Sequence, residues 1–134
     1  MKKFAFVFAA VLLFLSTAVF AKKHANTVIK HTNSAITYAN TAITYANTAI
    51  KHTNSAIAQG KLGKMSALVE HAGVALEYAK KADEAAKGLS KIQIYAGIIS
   101  LKEAISRGKM GDAASATKAA EKALAQIQAG NSNK

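Results

Sequence analysis

The sequence contains no cysteine, proline or tryptophan, and aromatic residues make up only 7% of its 134 residues. The absence of cysteine excludes disulfides, thiolate metal sites, thiol nucleophiles and lipid modification of an N-terminal cysteine. The absence of proline removes the residue that most often interrupts a helix, so long helices are allowed. Hydrophobic residues, many of them alanine, still make up 51% of the chain. This length and composition predict one small helical domain.

Acidic residues are also scarce, with 7 Asp or Glu against 18 Lys or Arg and a net charge of +11. Such a charge allows nonspecific electrostatic contact with an anionic membrane surface, nucleic acid or another polyanion. No specific nucleic-acid recognition is expected. Because no catalytic or phosphate-binding motif is found, the chain is not expected to be an enzyme.

The segment from Met1 to Ala21 has the features of a secretory signal peptide. Lys2 and Lys3 form a basic start, residues 4–15 are an uninterrupted apolar run, and residues 19–21 read Val-Phe-Ala. We expect cleavage after Ala21 and a periplasmic or secreted mature chain with a net charge of about +9, since cleavage removes only two lysines. The alternative is a retained membrane anchor, because the apolar run approaches the length that spans a bilayer.

Residues 24–58 repeat a seven-residue pattern five times: HANTVIK, HTNSAIT, YANTAIT, YANTAIK and HTNSAIA. A period of seven is typical of a helix and excludes a strand, whose side chains alternate. Isoleucine recurs with Ala or Thr four positions earlier, and this spacing predicts an isoleucine-centred seam flanked by Ala or Val. A column of His or Tyr follows the same helix, at 24, 31, 38, 45 and 52.

Glycines divide the rest of the chain. We predict four helices, over about 22–59, 64–87, 91–107 and 112–129. Gly60 and Gly88 are predicted to end helices 1 and 2. Ser90 and Gln93 fit a capping box for helix 3, and Asp112 fits the cap of helix 4. Residues 131–134 are predicted to be disordered.

A second repeat spans the two glycine turns. Residues 55–67, which contain the turn GKLG, align with residues 103–115, which contain the turn GKMG. Each turn joins two neighbouring helices, so the chain consists of two helical hairpins. The predicted fold is all-α, an antiparallel four-helix bundle with a long first helix.

Several motifs in residues 50–129 resemble the small metal-binding protein (SmbP) family. They are A-I-x-x-G-K-x-G at 56–63, E-H-A at 70–72, A-K-x-A at 79–82 and A-T-K-x-A at 116–120. The resemblance implies an exported, histidine-rich four-helix bundle that binds copper and other divalent metals. The heptads from 24 to 49 look like an expansion of the first helix of that family.

The chain keeps few of the histidines that this resemblance implies. At positions where the family tends to have histidine, it has Gln59, Lys64, Tyr78, Ser100, Arg107, Asp112, Ala119 and Gln126. The candidate metal ligands are therefore His24, His31, His52 and His71. Imidazole suits Cu(II), Ni(II) and Zn(II), and the resemblance makes Cu(II) the first expectation, for buffering or sequestration.

These histidines cannot chelate one ion from a single helix, because that requires i, i+3 or i, i+4 spacing. Seven residues rise about 10.5 Å along a helix. Across the first hairpin, residues at equal height have numbers that sum to about 123, which pairs His52 with His71 and Tyr45 with Tyr78. A shared site is predicted between the two histidines. The alternative is a pair of partly exposed rings that stack or form hydrogen bonds.

The same register predicts the other contacts of the two hairpins. In the first, Gln59 is opposite Lys64 at the turn. In the second hairpin, which lacks ligands, the predicted pairs are Arg107 with Asp112, Ser100 with Ala119, and Gln93 with Gln126.

Cleavage after Ala21 would create another candidate at the amino terminus. The mature chain would begin Lys22-Lys23-His24, so that one amine, two amide nitrogens and one imidazole could surround Cu(II) or Ni(II) in a square plane. The alternative is that His24 simply belongs to the heptad column.

A different class of function also fits the sequence. The first helix is longer than the second, so its first heptads could leave their apolar seam partly uncovered. A homodimer or a partner helix could bind there, and the basic surface could instead hold the chain to a polyanion or a membrane. Surface binding by the regular Thr and Asn columns is a further alternative.

Overall fold

The computed structural model describes the backbone of residues 2–132 and the side chains of residues 19–132. These residues form four helices and no strand: α1 Lys2–Lys61, α2 Met65–Ala85, α3 Gly88–Lys109 and α4 Ala113–Ser132. Residues up to Thr37 form one compact unit, and a second unit begins at Tyr38. The second unit contains the two hairpins, with α3 packed on both α2 and α4. The predicted all-α four-helix bundle is confirmed.

Helix α1 begins earlier than the sequence predicts. It starts at Lys2 rather than Lys22 and passes Ala21 without a break. The predicted signal peptide, residues 1–21, lies mostly outside the residues whose side chains are described. In the first unit, every described side chain from Val19 to Thr37 is exposed. Cleavage after Ala21 therefore stays a prediction.

The turn of the first hairpin is closed by backbone hydrogen bonds around its glycines. The N–H of Gly63 donates to the carbonyl of Gly60 over 2.9 Å, and the N–H of Lys64 donates to the carbonyl of Gln59 over 2.9 Å. Gly63 has a φ of 70°, a left-handed conformation that glycine adopts at little cost. The predicted pairing of Gln59 with Lys64 is thus present in the backbone.

The second turn repeats this arrangement at the equivalent positions. The N–H of Gly111 donates to the carbonyl of Gly108 over 3.1 Å, and the N–H of Asp112 donates to the carbonyl of Arg107 over 3.0 Å. Gly111 has a φ of 77°. The side chains of Arg107 and Asp112 also form the predicted pair, with a 4.0 Å ion pair. Two sequence-related hairpins therefore share one turn structure.

The prediction that Gly60 ends helix 1 is wrong. Gly60 is helical and buried, and α1 continues to Lys61. A Cβ added at Gly60 would collide with the hydroxyl of Thr117 and lie 2.7 Å from a methyl group of Leu68. Gly108, its equivalent in the second hairpin, would place a Cβ 2.7 Å from a valine methyl group. Both glycines are needed for close helix packing rather than for chain reversal.

The predicted capping box of α3 is also wrong. Helix α3 already begins at Gly88, so Ser90 lies inside its first turn and cannot be its cap. The cap residue is Lys87, which is extended and makes no side-chain capping hydrogen bond. Instead, the ammonium of Lys91 donates to the backbone carbonyl of Asp83 over 2.5 Å and to its carboxylate over 3.1 Å. This contact connects the start of α3 to the end of α2.

Asp112 caps α4 as predicted. Its carboxylate accepts a 3.0 Å hydrogen bond from the N–H of Ser115. Hydrogen bonds from the Ser115 side chain and backbone, with a smaller contribution from the charge of Arg107, hold the pKa of Asp112 below its ordinary value, although desolvation opposes the shift.

The predicted disorder from residue 131 onward is wrong for Asn131 and Ser132. Helix α4 includes both residues, and the side-chain amide of Asn131 donates a 2.8 Å hydrogen bond to that of Asn47 on α1. Helix α4 therefore runs three residues beyond the predicted end at 129, and its last turn contacts another helix. The remaining two predicted tail residues, 133 and 134, lie outside the described residues.

Alanine fills most of the bundle core. The residues that α1 buries in the core are Ala42, Ala46, Ala49, Thr53, Ala56 and Ile57. Ile43 and Ile50 are only half-buried. The buried face of α1 was predicted to centre on the isoleucines, but it centres on the neighbouring alanine positions. Alanine allows helices to approach closely, and Ile43 and Ile50 cover the flank of the contact.

Candidate metal centre

His52 of α1 and His71 of α2 lie side by side across the first hairpin. Their ring centroids are 5.9 Å apart, and the ring planes are tilted by 33°. Both residues are half-buried, and each precedes a fully buried residue, Thr53 or Ala72. The core register of the two helices therefore positions the imidazoles on one flank of the hairpin. This is the pairing that the sequence register predicts.

The separation of these rings fits one bound metal ion. An ion held by two imidazoles, each at about 2.0–2.1 Å, places the ring centres roughly 5 to 6 Å apart. In addition, Nδ1 of His52 is buried and has no hydrogen-bond partner among the described residues. A buried ring nitrogen without a partner is unfavourable by about 1–3 kcal/mol. A metal ion that binds both imidazoles while the His52 ring changes its orientation can offset that cost. The residues present therefore fit a divalent metal ion.

Among the described residues, His52 and His71 are the two side chains placed to act as ligands at this position. In the part of the chain whose side chains are described, no three His, Cys, Asp or Glu residues are grouped closely enough to hold one ion. Glu70 adjoins His71 in sequence, but it is exposed, and successive residues on a helix point about 100° apart. Water would therefore complete the coordination of an ion bound by His52 and His71.

Two tyrosines extend the histidine pair into a row of four rings. His52 is stacked on Tyr78, with centroids 6.3 Å apart and planes within 1° of parallel. Tyr78 also contacts Tyr45 at 6.2 Å, as the hairpin register predicts. We call His71, His52, Tyr78 and Tyr45 the aromatic row. The register missed the contact of His52 with Tyr78, because it pairs residues at equal height, whereas long side chains also reach the residue one heptad further along.

Lys81 places a positive charge at the tyrosine end of the aromatic row. Its ammonium nitrogen lies 5.0 Å from the ring centroid of Tyr78 and 5.9 Å from that of Tyr45. These distances are within the range of cation–π attraction. A cation already occupies this end, so the histidine end is the one suited to a metal ion. This contact was not predicted, although the i, i+3 spacing of Tyr78 and Lys81 is compatible with it.

His24 and His31 lie in the first unit, two helical turns apart on α1. Both are exposed, and the rise of about 10.5 Å between them prevents them from sharing an ion within the helix. The ring of His24 contacts that of Phe20, with centroids 5.6 Å apart. Among the described residues of this unit, each of these histidines could therefore supply an ion with its own imidazole alone.

Comparison with known proteins relates the chain to a protein family. The family model described as Small metal-binding protein matches residues 38–130. That range includes both hairpins with His52 and His71, while His24 and His31 precede it. No curated protein matches the chain. In the described part of the chain, no helix combines the length and the apolar character needed to cross a membrane.

Proposed function

The chain belongs to the small metal-binding protein family, and from this premise we propose that it binds a divalent metal ion between His52 and His71. Copper is the first candidate, followed by nickel and zinc, because imidazole suits all three ions. The 5.9 Å separation of the two rings is the observation that carries this proposal. The buried Nδ1 of His52, which has no partner among the described residues, adds support.

The small number of protein ligands suits exchangeable binding. Two imidazoles with water in the remaining positions hold an ion less firmly than three or four protein ligands would. Lys81, at the other end of the aromatic row, adds unfavourable charge for an incoming cation. We therefore propose buffering or sequestration of metal rather than catalysis as the role of the protein.

A Cu(II) titration of paired variants tests the site. The background is His24→Ala, so that the amino terminus does not contribute a site with this histidine. In that background, the tightest Cu(II) binding should come from the His52–His71 pair. His71→Ala should abolish this binding, because it leaves one imidazole of the pair. His31→Ala is the matched control and should leave it unchanged. Equal isotherms for the His71→Ala variant and its parent would exclude the His52–His71 site.

Thermal unfolding gives an independent measure of the same binding. A metal that binds only the folded protein raises its apparent stability, and the increase grows with the metal concentration. We expect this stabilisation in the His24→Ala background and its loss when His71→Ala is added. Stabilisation that is the same in both proteins would place the bound ion elsewhere.

We also propose that the protein is exported, with residues 1–21 as the signal peptide and a periplasmic or extracellular destination. The basic start, the apolar run and the Val-Phe-Ala segment support this proposal. Fractionation of cells that express the full chain, followed by mass spectrometry of the recovered protein, tests it. A chain recovered only with residues 1–21 attached would contradict it.

A second candidate function is interaction through the first part of α1 without metal. Val28, Ile29 and Ile36 are 62%, 55% and 52% exposed, and Lys22, Lys23 and Lys30 lie in the same stretch. These residues could bind a second copy, a partner helix, a membrane surface or a polyanion. Salt-sensitive retention on a polyanion, with no effect of metal on stability, would favour this class over metal binding.

A further inference from the structure

We propose that the mature chain, beginning at Lys22, carries a second and independent metal site at its amino terminus. Its four ligands are the α-amine of Lys22, the amide nitrogens of Lys23 and His24, and the imidazole of His24. The site does not rest on the His52–His71 pair. It requires cleavage after Ala21, which mass spectrometry of the exported protein measures.

The ligand set determines which metals can bind. Four nitrogens from three consecutive residues lie in one plane, and a square plane of nitrogen ligands suits Cu(II) and Ni(II). Zn(II) prefers a tetrahedral arrangement and is a poor fit. Binding displaces one proton from each of the two amide groups and one from the α-ammonium of Lys22, and these protons pass to the solvent. The amino-terminal site therefore selects among metals more strongly than two imidazoles can.

Cleavage would release the backbone groups that this site needs. In an α-helix, each N–H bonds to the carbonyl four residues earlier, so the amides of Lys23 and His24 pair with carbonyls of Val19 and Phe20. Removal of residues 1–21 removes both acceptors. The two amides then belong to the first turn of the new helix, where N–H groups have no intrahelical partner.

Cleavage would also release the imidazole. The ring of His24 contacts the ring of Phe20 at 5.6 Å, and Phe20 leaves with the signal peptide. Lys22, Lys23 and His24 are all exposed, so the first turn can unwind around an ion without disturbing buried side chains.

The test begins with mass spectrometry of the exported protein, which should show Lys22 as the first residue. Cu(II) is then added to that mature protein and followed by visible d–d absorption and electron paramagnetic resonance. We expect one equivalent with the spectrum of a square plane of four nitrogens. The same spectrum should persist in His71→Ala, because the hairpin pair is not involved.

Three changes should each remove that spectrum. His24→Ala removes the imidazole, and one glycine added before Lys22 moves His24 out of the third position. Lys23→Pro removes an amide proton while keeping His24, and the first turn of a helix tolerates proline. A spectrum unchanged by Lys23→Pro or by the added glycine would overturn the proposal, as would a mature terminus other than Lys22. Loss of Cu(II) binding in His71→Ala alone would instead support the hairpin site and contradict this one.

Discussion

The hydroxyl of Ser100 donates a 2.7 Å hydrogen bond to the side-chain oxygen of Gln126, joining α3 to α4. The equivalent residues of the first hairpin are His52 and Tyr78, whose rings are stacked. The two hairpins thus keep the same contact with different chemistry. The predicted partner of Ser100 was Ala119, which lies at equal height on α4. The hydrogen bond instead goes to Gln126, one heptad further from the turn, just as His52 reaches Tyr78 in the first hairpin.

Loss of this hydrogen bond should destabilise the bundle. Ser100 is only 2% exposed, and Gln126→Ala would leave its hydroxyl without this partner. We expect the free energy of unfolding to fall by about 1–3 kcal/mol, measured by urea denaturation. Gln128→Ala, at an exposed position of the same helix, is the control and should change it by less than about 0.5 kcal/mol. Equal effects would mean that the Ser100 contact adds nothing to stability.

Two helical glycines should respond to alanine in opposite directions. A Cβ at Gly60 would collide with Thr117, whereas a Cβ at Gly73 would meet nothing within 4 Å. Gly60→Ala should therefore lower the free energy of unfolding by about 1–3 kcal/mol. Gly73→Ala should raise it by about 0.5–1 kcal/mol, because alanine loses less conformational freedom in a helix. A stabilising Gly60→Ala variant would show that Gly60 is not needed for close helix packing.

The cap of α4 should make stability depend on acid. The pKa of Asp112 is held below its ordinary value of 3.8, mainly by hydrogen bonds from Ser115. The folded state thus favours the charged carboxylate, whose stabilising effect is present above that ordinary value and is lost as the pH falls through the lowered pKa. Asp112→Asn keeps an oxygen acceptor but does not titrate. Below about pH 4, the melting temperature of the unchanged protein should fall more steeply than that of the variant. Parallel curves would contradict this role for Asp112.

Much of the hairpin geometry could be predicted because it depends on spacing alone. The heptad period and the repeat that relates the two hairpins predicted the two turns, the contact of His52 with His71 and that of Tyr45 with Tyr78. These pairs follow from helical rise and chain reversal, which need no knowledge of side-chain packing.

The errors arose where packing decides between similar residues. Isoleucine is more apolar than alanine, yet alanine takes the centre of α1 because the helices lie close together. Gly60 was interpreted as a helix end, although its role is to avoid a clash with Thr117, a residue distant in sequence. Asn131 was expected to be disordered because its partner, Asn47, cannot be identified from local sequence.

Tyrosine fluorescence should report Cu(II) at the hairpin site, since the chain has four tyrosines and no tryptophan. Tyr78 and Tyr45 belong to the aromatic row that includes His52 and His71, whereas Tyr38 and Tyr95 are exposed elsewhere. In the His24→Ala background, Cu(II) bound between the histidines should quench the emission of the row tyrosines. Zn(II), with a filled d shell, should quench much less. Tyr78→Phe should therefore remove more of the Cu(II)-sensitive signal than Tyr95→Phe, and His71→Ala should abolish the saturable quenching. Quenching that persists in His71→Ala would show that the ion is bound away from the aromatic row.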